Sequence, residues 1–169
     1  MNKRIYIPIS VFLIFFLSQC GPTQQDAMLH HKQIVKEQHL VVGYVNELIS
    51  TFSTYEPSNI EPALDSAKMQ VEKSIIILEG MEPFDDEYEL LSACSDLFKV
   101  YKSQLNNEYA ELLELFKLPI EEYKEKEEDR LNELNKIIDE GYYPVYDKFS
   151  KTEEDFAKKW GFELIPADL

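Results

Sequence analysis

Apolar side chains recur at three- and four-residue spacing along most of the chain, the repeat of helices that each bury one face. The first stripe runs through Ala27, Met28, Ile34, Val35, Val41, Val42, Val45, Leu48, Ile49 and Phe52, with His31 and Gln38 on it and Asp26 placed to cap its start. Tyr55-Glu56-Pro57-Ser58-Asn59 interrupts the pattern. Ser58 with Glu61 reads as a capping box for a second helix carrying Leu64, Ala67, Val71, Ile75 and Leu78, with Pro62 in its first turn and Gly80 as a left-handed stop before Pro83. Asp85 and Asp86 open a third helix, whose stripe Leu90, Leu91, Cys94, Leu97, Phe98, Tyr101, Leu105, Tyr109, Leu112 and Phe116 runs to Leu118-Pro119. The last segment starts in the charged run at Glu121 and keeps its phase through Leu131, Leu134, Ile138, Val145, Phe149, Phe156 and Trp160. It does so across Gly141 and Pro144, and so reads as one kinked helix. Gly161 ends it, and Phe162 is expected to fold back onto Phe156 and Ala157.

No stretch alternates with period two and no hairpin turn signal appears. The pattern predicts an all-α fold, an up-down-up-down four-helix bundle with long third and fourth helices, the fourth kinked near Gly141-Pro144. A second helix of about 20 residues beside a third of about 32 implies an overhang of roughly 18 Å at 1.5 Å per residue. The overhanging hairpin would carry Leu113, Leu115, Phe116, Leu118, Ile120 and Tyr123 beside an acidic run. Leu113, Phe116, Leu118 and Tyr123 are therefore the candidate partner-binding residues. The competing use of such side chains is to close the end of the bundle.

The N-terminal stretch has a different character. Lys3 and Arg4 precede an apolar run from Ile5 to Leu17, too short to span a bilayer, and Leu17-Ser18-Gln19-Cys20 follows. This resembles the signal peptide of a bacterial lipoprotein, with Gln19 where Gly, Ala or Ser is usual. The resemblance implies cleavage before Cys20, diacylglycerol on its sulfur and attachment to the membrane through that lipid. The expected organisation is a signal peptide over 1–19, lipidated cysteine and tether over 20–25, and the bundle domain over 26–169.

Losing Lys3 and Arg4 would take the net charge from −15 to −17. Such a surface repels nucleic acid and anionic headgroups, so no nucleic-acid partner is expected. With Cys20 lipidated, Cys94 has no disulfide partner, and the fold must rest on its core.

Catalytic constellations are missing. The three histidines all lie between His30 and His39, without the i, i+4 pair of a zinc protease or the Glu-x-x-His pairs of a di-iron bundle. His31 as a haem ligand is weighed against a histidine at the core edge, and Cys94 as a redox thiol against a packed cysteine; the bland reading is favoured in each case. Glu127, Glu128 and Asp129 read as a solvated helix start rather than a metal site. The aromatic stripe Tyr142, Tyr146, Phe149, Phe156 and Trp160 reads as core filling. No catalytic residue, metal or cofactor is expected.

The lipobox, Ile34-Val35-Lys36-Glu37-Gln38 and the closing phrase from Phe149 through Phe156-Ala157-Lys158-Lys159-Trp160-Gly161-Phe162 together resemble a family of small helical surface lipoproteins. Its best-described members are similar to the ErpY-like lipoproteins of leptospires. The resemblance implies a location at the outer membrane or cell surface and attachment to host plasma or complement proteins. The expected function is a non-enzymatic protein-binding module, and the alternative is a periplasm-facing structural or envelope-maintenance lipoprotein.

Overall fold

The computed structural model describes residues 21–84 and 89–164. The expected signal peptide over 1–19, Cys20, Asp85 and Asp86 lie outside them. Among the described residues five helices follow one another: α1 Gln24–Phe52, α2 Pro57–Glu79, α3 Glu89–Asn106, α4 Glu108–Phe116 and α5 Glu125–Trp160. With α3 and α4 forming one rod, these make an all-α bundle of four helices. The pairs α1–α2, α2–α3 and α3–α5 carry most of the packing, while α1 touches α5 little. The core is the predicted stripes brought together: Ile34, Val41 and Leu48 from α1, Leu64 and Val71 from α2, Leu97, Phe98 and Leu105 from α3, Leu134 and Phe149 from α5, joined by Ile60 of α2, which was not on its predicted stripe.

Helix ends depart from the sequence pattern in several places. Thr23, not Asp26, caps α1. Asp26 completes a capping box by accepting from the Thr23 backbone N–H at 2.9 Å and from its hydroxyl at 2.6 Å. Those bonds hold the Asp26 carboxyl below the usual carboxylate range, the Thr23 hydroxyl contributing most. In α2 the expected Ser58–Glu61 box does not form. Pro57, whose fixed φ suits a first turn, starts the helix at Pro57 with Glu56 as N-cap, and Pro62 falls in the second turn. Gly80 closes α2 in right-handed conformation, φ −85°, with its N–H on Ile76 O at 3.1 Å, so no left-handed cap is needed. The expected single third helix is interrupted at Asn107, φ −114° and ψ −78°. Asn106 and Asn107 each donate a side-chain amide to a carbonyl four residues back, at 2.8 and 2.9 Å, offering the backbone local competition.

α5 begins at Glu125, and Glu121 to Lys124 belong to the link. It then runs as one helix across Gly141 and Pro144. Gly161 ends it at φ 71°, with Phe162 N–H on Ala157 O at 3.1 Å and the Phe162 ring 6.1 Å from Phe156, the expected Schellman closure.

Gly141 has a structural reason to lack a side chain. The buried Gln104 amide reaches across from α3 to donate to Ile138 O at 2.8 Å, and a Cβ on Gly141 would stand 3.1 Å from that nitrogen. Gly141→Ala should add about 1 kcal/mol of helix propensity and lose a comparable amount by displacing Gln104. In a Gln104→Ala background only the gain remains. Urea denaturation of the four species should give a coupling of about 1 kcal/mol; equal effects in both backgrounds would show that the close approach is unimportant.

Candidate functional site

The end of the bundle opposite the start of α1 is built from two links, Ser53 to Glu56 and Lys117 to Lys124. The expected overhang is not there. Phe116, the last residue of α4, lies at the level of the α1–α2 turn, its ring 5.1 Å from Phe52 at 74° and stacked on Tyr55 at 5.7 Å. Lys117 likewise reaches Glu61 on α2 at 3.3 Å. The inference failed because α2 starts at Pro57, ahead of the expected cap at Ser58, so the first hairpin is as tall as the second.

The four candidate residues therefore separate. Leu113 is buried, only 4% exposed, and belongs to the core. Phe116 and Leu118 are half-buried, and Phe116 closes the bundle end through its rings. Tyr123 is 37% exposed, its phenol pushed up by partial burial and then by the charges of Glu128 and Glu127. Two residues present more apolar surface than any of these: Ile120, which was on the predicted tip, is 85% exposed, and Tyr55, which was not, is 78% exposed.

Tyr55 also has φ 57°, the only positive value at a non-glycine among the described residues. The left-handed region costs an L-residue roughly 1–2 kcal/mol. The signal was present in the sequence, since the α1–α2 turn contains neither Gly nor a cap of the usual kind, and some residue had to reverse the chain. Acids surround this surface: Glu56 on one link, Glu121 and Glu122 on the other, and Glu125, Glu127 and Glu128 at the start of α5. Behind it, Arg130 grips Glu111 with two bonds at 2.6 and 2.7 Å and Glu133 with a third, tying α5 to α4 and holding the Glu111 carboxyl below its usual range.

The other sequence candidates are occupied by packing. His31 pairs with Glu153 on α5 at 2.8 Å, and His30 sits 5.2 Å from the Phe84 ring. Cys94 is buried and free, and burial first, then Glu153 and Glu37, push its thiol far up, away from the reactive thiolate. Tyr142 stacks on Tyr146 at 5.3 Å and meets Tyr101 at 5.5 Å in the α3–α5 seam, while Trp160 packs edge-on against Phe84. Among the described residues no three His, Cys, Asp or Glu side chains converge as a metal site. One buried acid escaped the sequence reading. Glu37, 3% exposed, accepts from the Ser74 hydroxyl at 2.8 Å, which in turn accepts from Gln70 at 2.9 Å. Its place between Ile34 and Val41 at helical spacing was the available signal.

No family model, curated protein or solved structure matches the chain. Its function is argued from its own residues.

The division of the tip into closing and exposed side chains can be measured. Phe116→Ser should cost about 2 kcal/mol, since it removes a ring wedged against Phe52 and Tyr55. Ile120→Ser should stay within about 0.5 kcal/mol of the parent. Denaturant melts of both variants check this, and the reverse ranking would show the tip has been misassigned.

Proposed function

We propose that this chain is a lipid-anchored, non-enzymatic protein-binding module at the outer membrane or cell surface, engaging a partner through the end of the bundle farthest from Cys20. The observation that carries the reading is Tyr55, a largely exposed aromatic ring in left-handed backbone, beside Ile120 and Tyr123. Strain of that kind persists where the surrounding structure enforces it, and here it presents apolar surface to solvent. The acids around the patch favour a partner whose apolar contact is rimmed with Lys or Arg.

The anchor is supported by the leader, by Cys94 being sealed in the core and so unable to pair with Cys20, and by the cap at Thr23. That cap leaves only Gly21 and Pro22 between Cys20 and the helix cap. No described helix is long and apolar enough to cross a membrane; in this reading the lipid on Cys20 supplies the attachment. The 29 residues of α1 make a rod of about 43 Å, which would hold the tip clear of the bilayer.

A photo-crosslinking residue in place of Ile120, in protein displayed on intact cells, should trap a discrete partner. The same residue in place of Lys151, exposed on α5, should not. Tyr55→Ser should cut the Ile120 adduct about tenfold. Palmitate should label the parent and not Cys20→Ala, and external protease should digest the parent without lysis. Equal trapping from both positions would remove the tip from the reading, and protection from protease would move the protein to the periplasmic side.

A further inference from the structure

A second surface lies on the outer side of the α1–α2 pair, away from α3 and α5. The core stripe of α1 is Ile34, Val41 and Val45, and on the opposite side the three- and four-residue spacing puts Leu29, Lys32, Lys36 and Leu40 in one row. The core stripe of α2 is Leu64, Val71 and Leu78, and Met69, Lys73 and Ile76 form its outward row. The Glu37–Ser74 hydrogen bond sets the two helices side by side, and Gln33, Ile76 and Ile77 line the shallow groove between them. Leu29, Met69 and Ile76 are each at least 60% exposed. Seven of the thirteen large apolar residues exposed among the described ones belong to these two helices.

The charges on this face run against those of the chain. The protein carries −15, and most cations of α3 to α5 are held by acids, as in Lys99–Asp96, Lys102–Glu72, Arg130–Glu111 and Lys148–Asp96. Lys32, Lys36 and Lys73 pair with no acid among the described residues, although the chain contains 32. Three unpaired ammonium groups thus stand among exposed Leu, Met and Ile side chains.

We infer that the outer face of α1 and α2 is a docking site for an acidic amphipathic helix of another protein. Such a helix would lay an apolar stripe between Leu29, Leu40, Met69 and Ile76, with its flanking carboxylates on Lys32, Lys36 and Lys73. From Leu29 to Leu40 the α1 row spans about 16 Å, three helical turns, the reach of a helix's i, i+4, i+7, i+11 anchors. A second copy of the same face is disfavoured because lysine would meet lysine. A flat anionic bilayer would bring headgroups onto Glu47 and Glu72 of the same two helices as well, whereas a helix with carboxylates only at chosen positions can place them on the lysines and not on Glu72. The site is independent of the tip and shares no residue with it.

The test uses the full chain and a dye-labelled 18-residue peptide with Leu at i, i+4, i+7 and i+11 and Glu on the flanks, against a control with Lys replacing each Glu. Anisotropy should show binding of the Glu peptide only, weakening as salt rises. Lys36→Glu with Lys73→Glu, and separately Leu40→Ser with Met69→Ser, should each weaken it tenfold or more at unchanged helicity, while Ile120→Ser leaves it unaltered. All substituted side chains are exposed, so folding is not at issue. Failure of the Glu peptide to bind, or equal binding of the Lys peptide, overturns the assignment. So does co-sedimentation with phosphatidylglycerol vesicles that Lys36→Glu with Lys73→Glu abolishes, or dimerisation that the Leu40 and Met69 pair abolishes, since a membrane or a second copy would then be the occupant.

Discussion

A carboxylate is buried on the inner stripe of α1, and the register of the bundle follows from how it is satisfied. Glu37 has 3% of its surface exposed and makes no ion pair among the described residues; its Oε2 accepts a hydrogen bond from the Ser74 hydroxyl, whose oxygen in turn accepts one from the Gln70 amide. A hydrogen bond to a charged group contributes about 1.5–3 kcal/mol, and leaving that group buried and unmet costs at least as much. Apolar stripes tolerate sliding by a heptad, because one Leu or Ile replaces another. A buried acid does not, since only one alignment of α1 and α2 brings Ser74 to it. The same alignment carries Phe52 and Tyr55 up to Phe116 at one end and sets the outward rows of α1 and α2 beside each other.

This is also where the sequence ceased to be legible. The stripes of α1, α2 and α5 were readable because helical period is a property of one segment, and the closure at Gly161 was readable because a glycine after Lys158-Lys159-Trp160 is a local signal. Relative height is a property of two segments. Comparing helix lengths predicted an overhang that does not exist, because it assigned too few residues to α2 and drew α3 and α4 as one unbroken helix. Pro57 starting α2 two residues early, and the interruption of the third rod at Asn107, are each small effects. Together they bring both hairpins to the same height. Of the four tip residues chosen from the sequence, the hydrophobic pattern could not say that Leu113 points inward while Tyr123 does not, since both lie near the end of a stripe and only the neighbouring hairpin decides.

Polar chemistry is segregated between the two halves of the bundle. Acids crowd α3 to α5 and their links, where six cations are drawn into ion pairs, some of which tie α4 to α5 or α3 to α5. Such exposed pairs contribute little stability each. Their consequence is that these six cations are already engaged with their own chain. On the α1–α2 outer face Lys32, Lys36 and Lys73 form no ion pair among the described residues, although Glu163 and Glu72 border the same surface. Two surfaces of contrary sign on one small protein would suit different partners under the proposed readings, basic at the tip and acidic on the flank.

The turn between α1 and α2 bears on whether the tip is shaped for more than closure. A glycine at position 55 would enter the left-handed region freely, and the ring of Phe116 already seals the bundle against Phe52 without help. Tyr55 adds a stack on the outer face of Phe116, yet most of its own surface remains in water. Aromatic stacking is worth about 0.5–1.5 kcal/mol, the same size as the backbone strain it must offset. In the free protein Tyr55 is therefore close to neutral for stability. Its apolar area is withheld from the core while one ring face is already stacked on Phe116, so less side-chain entropy would be lost if the proposed partner covered it, which is the energetic condition for an anchor residue.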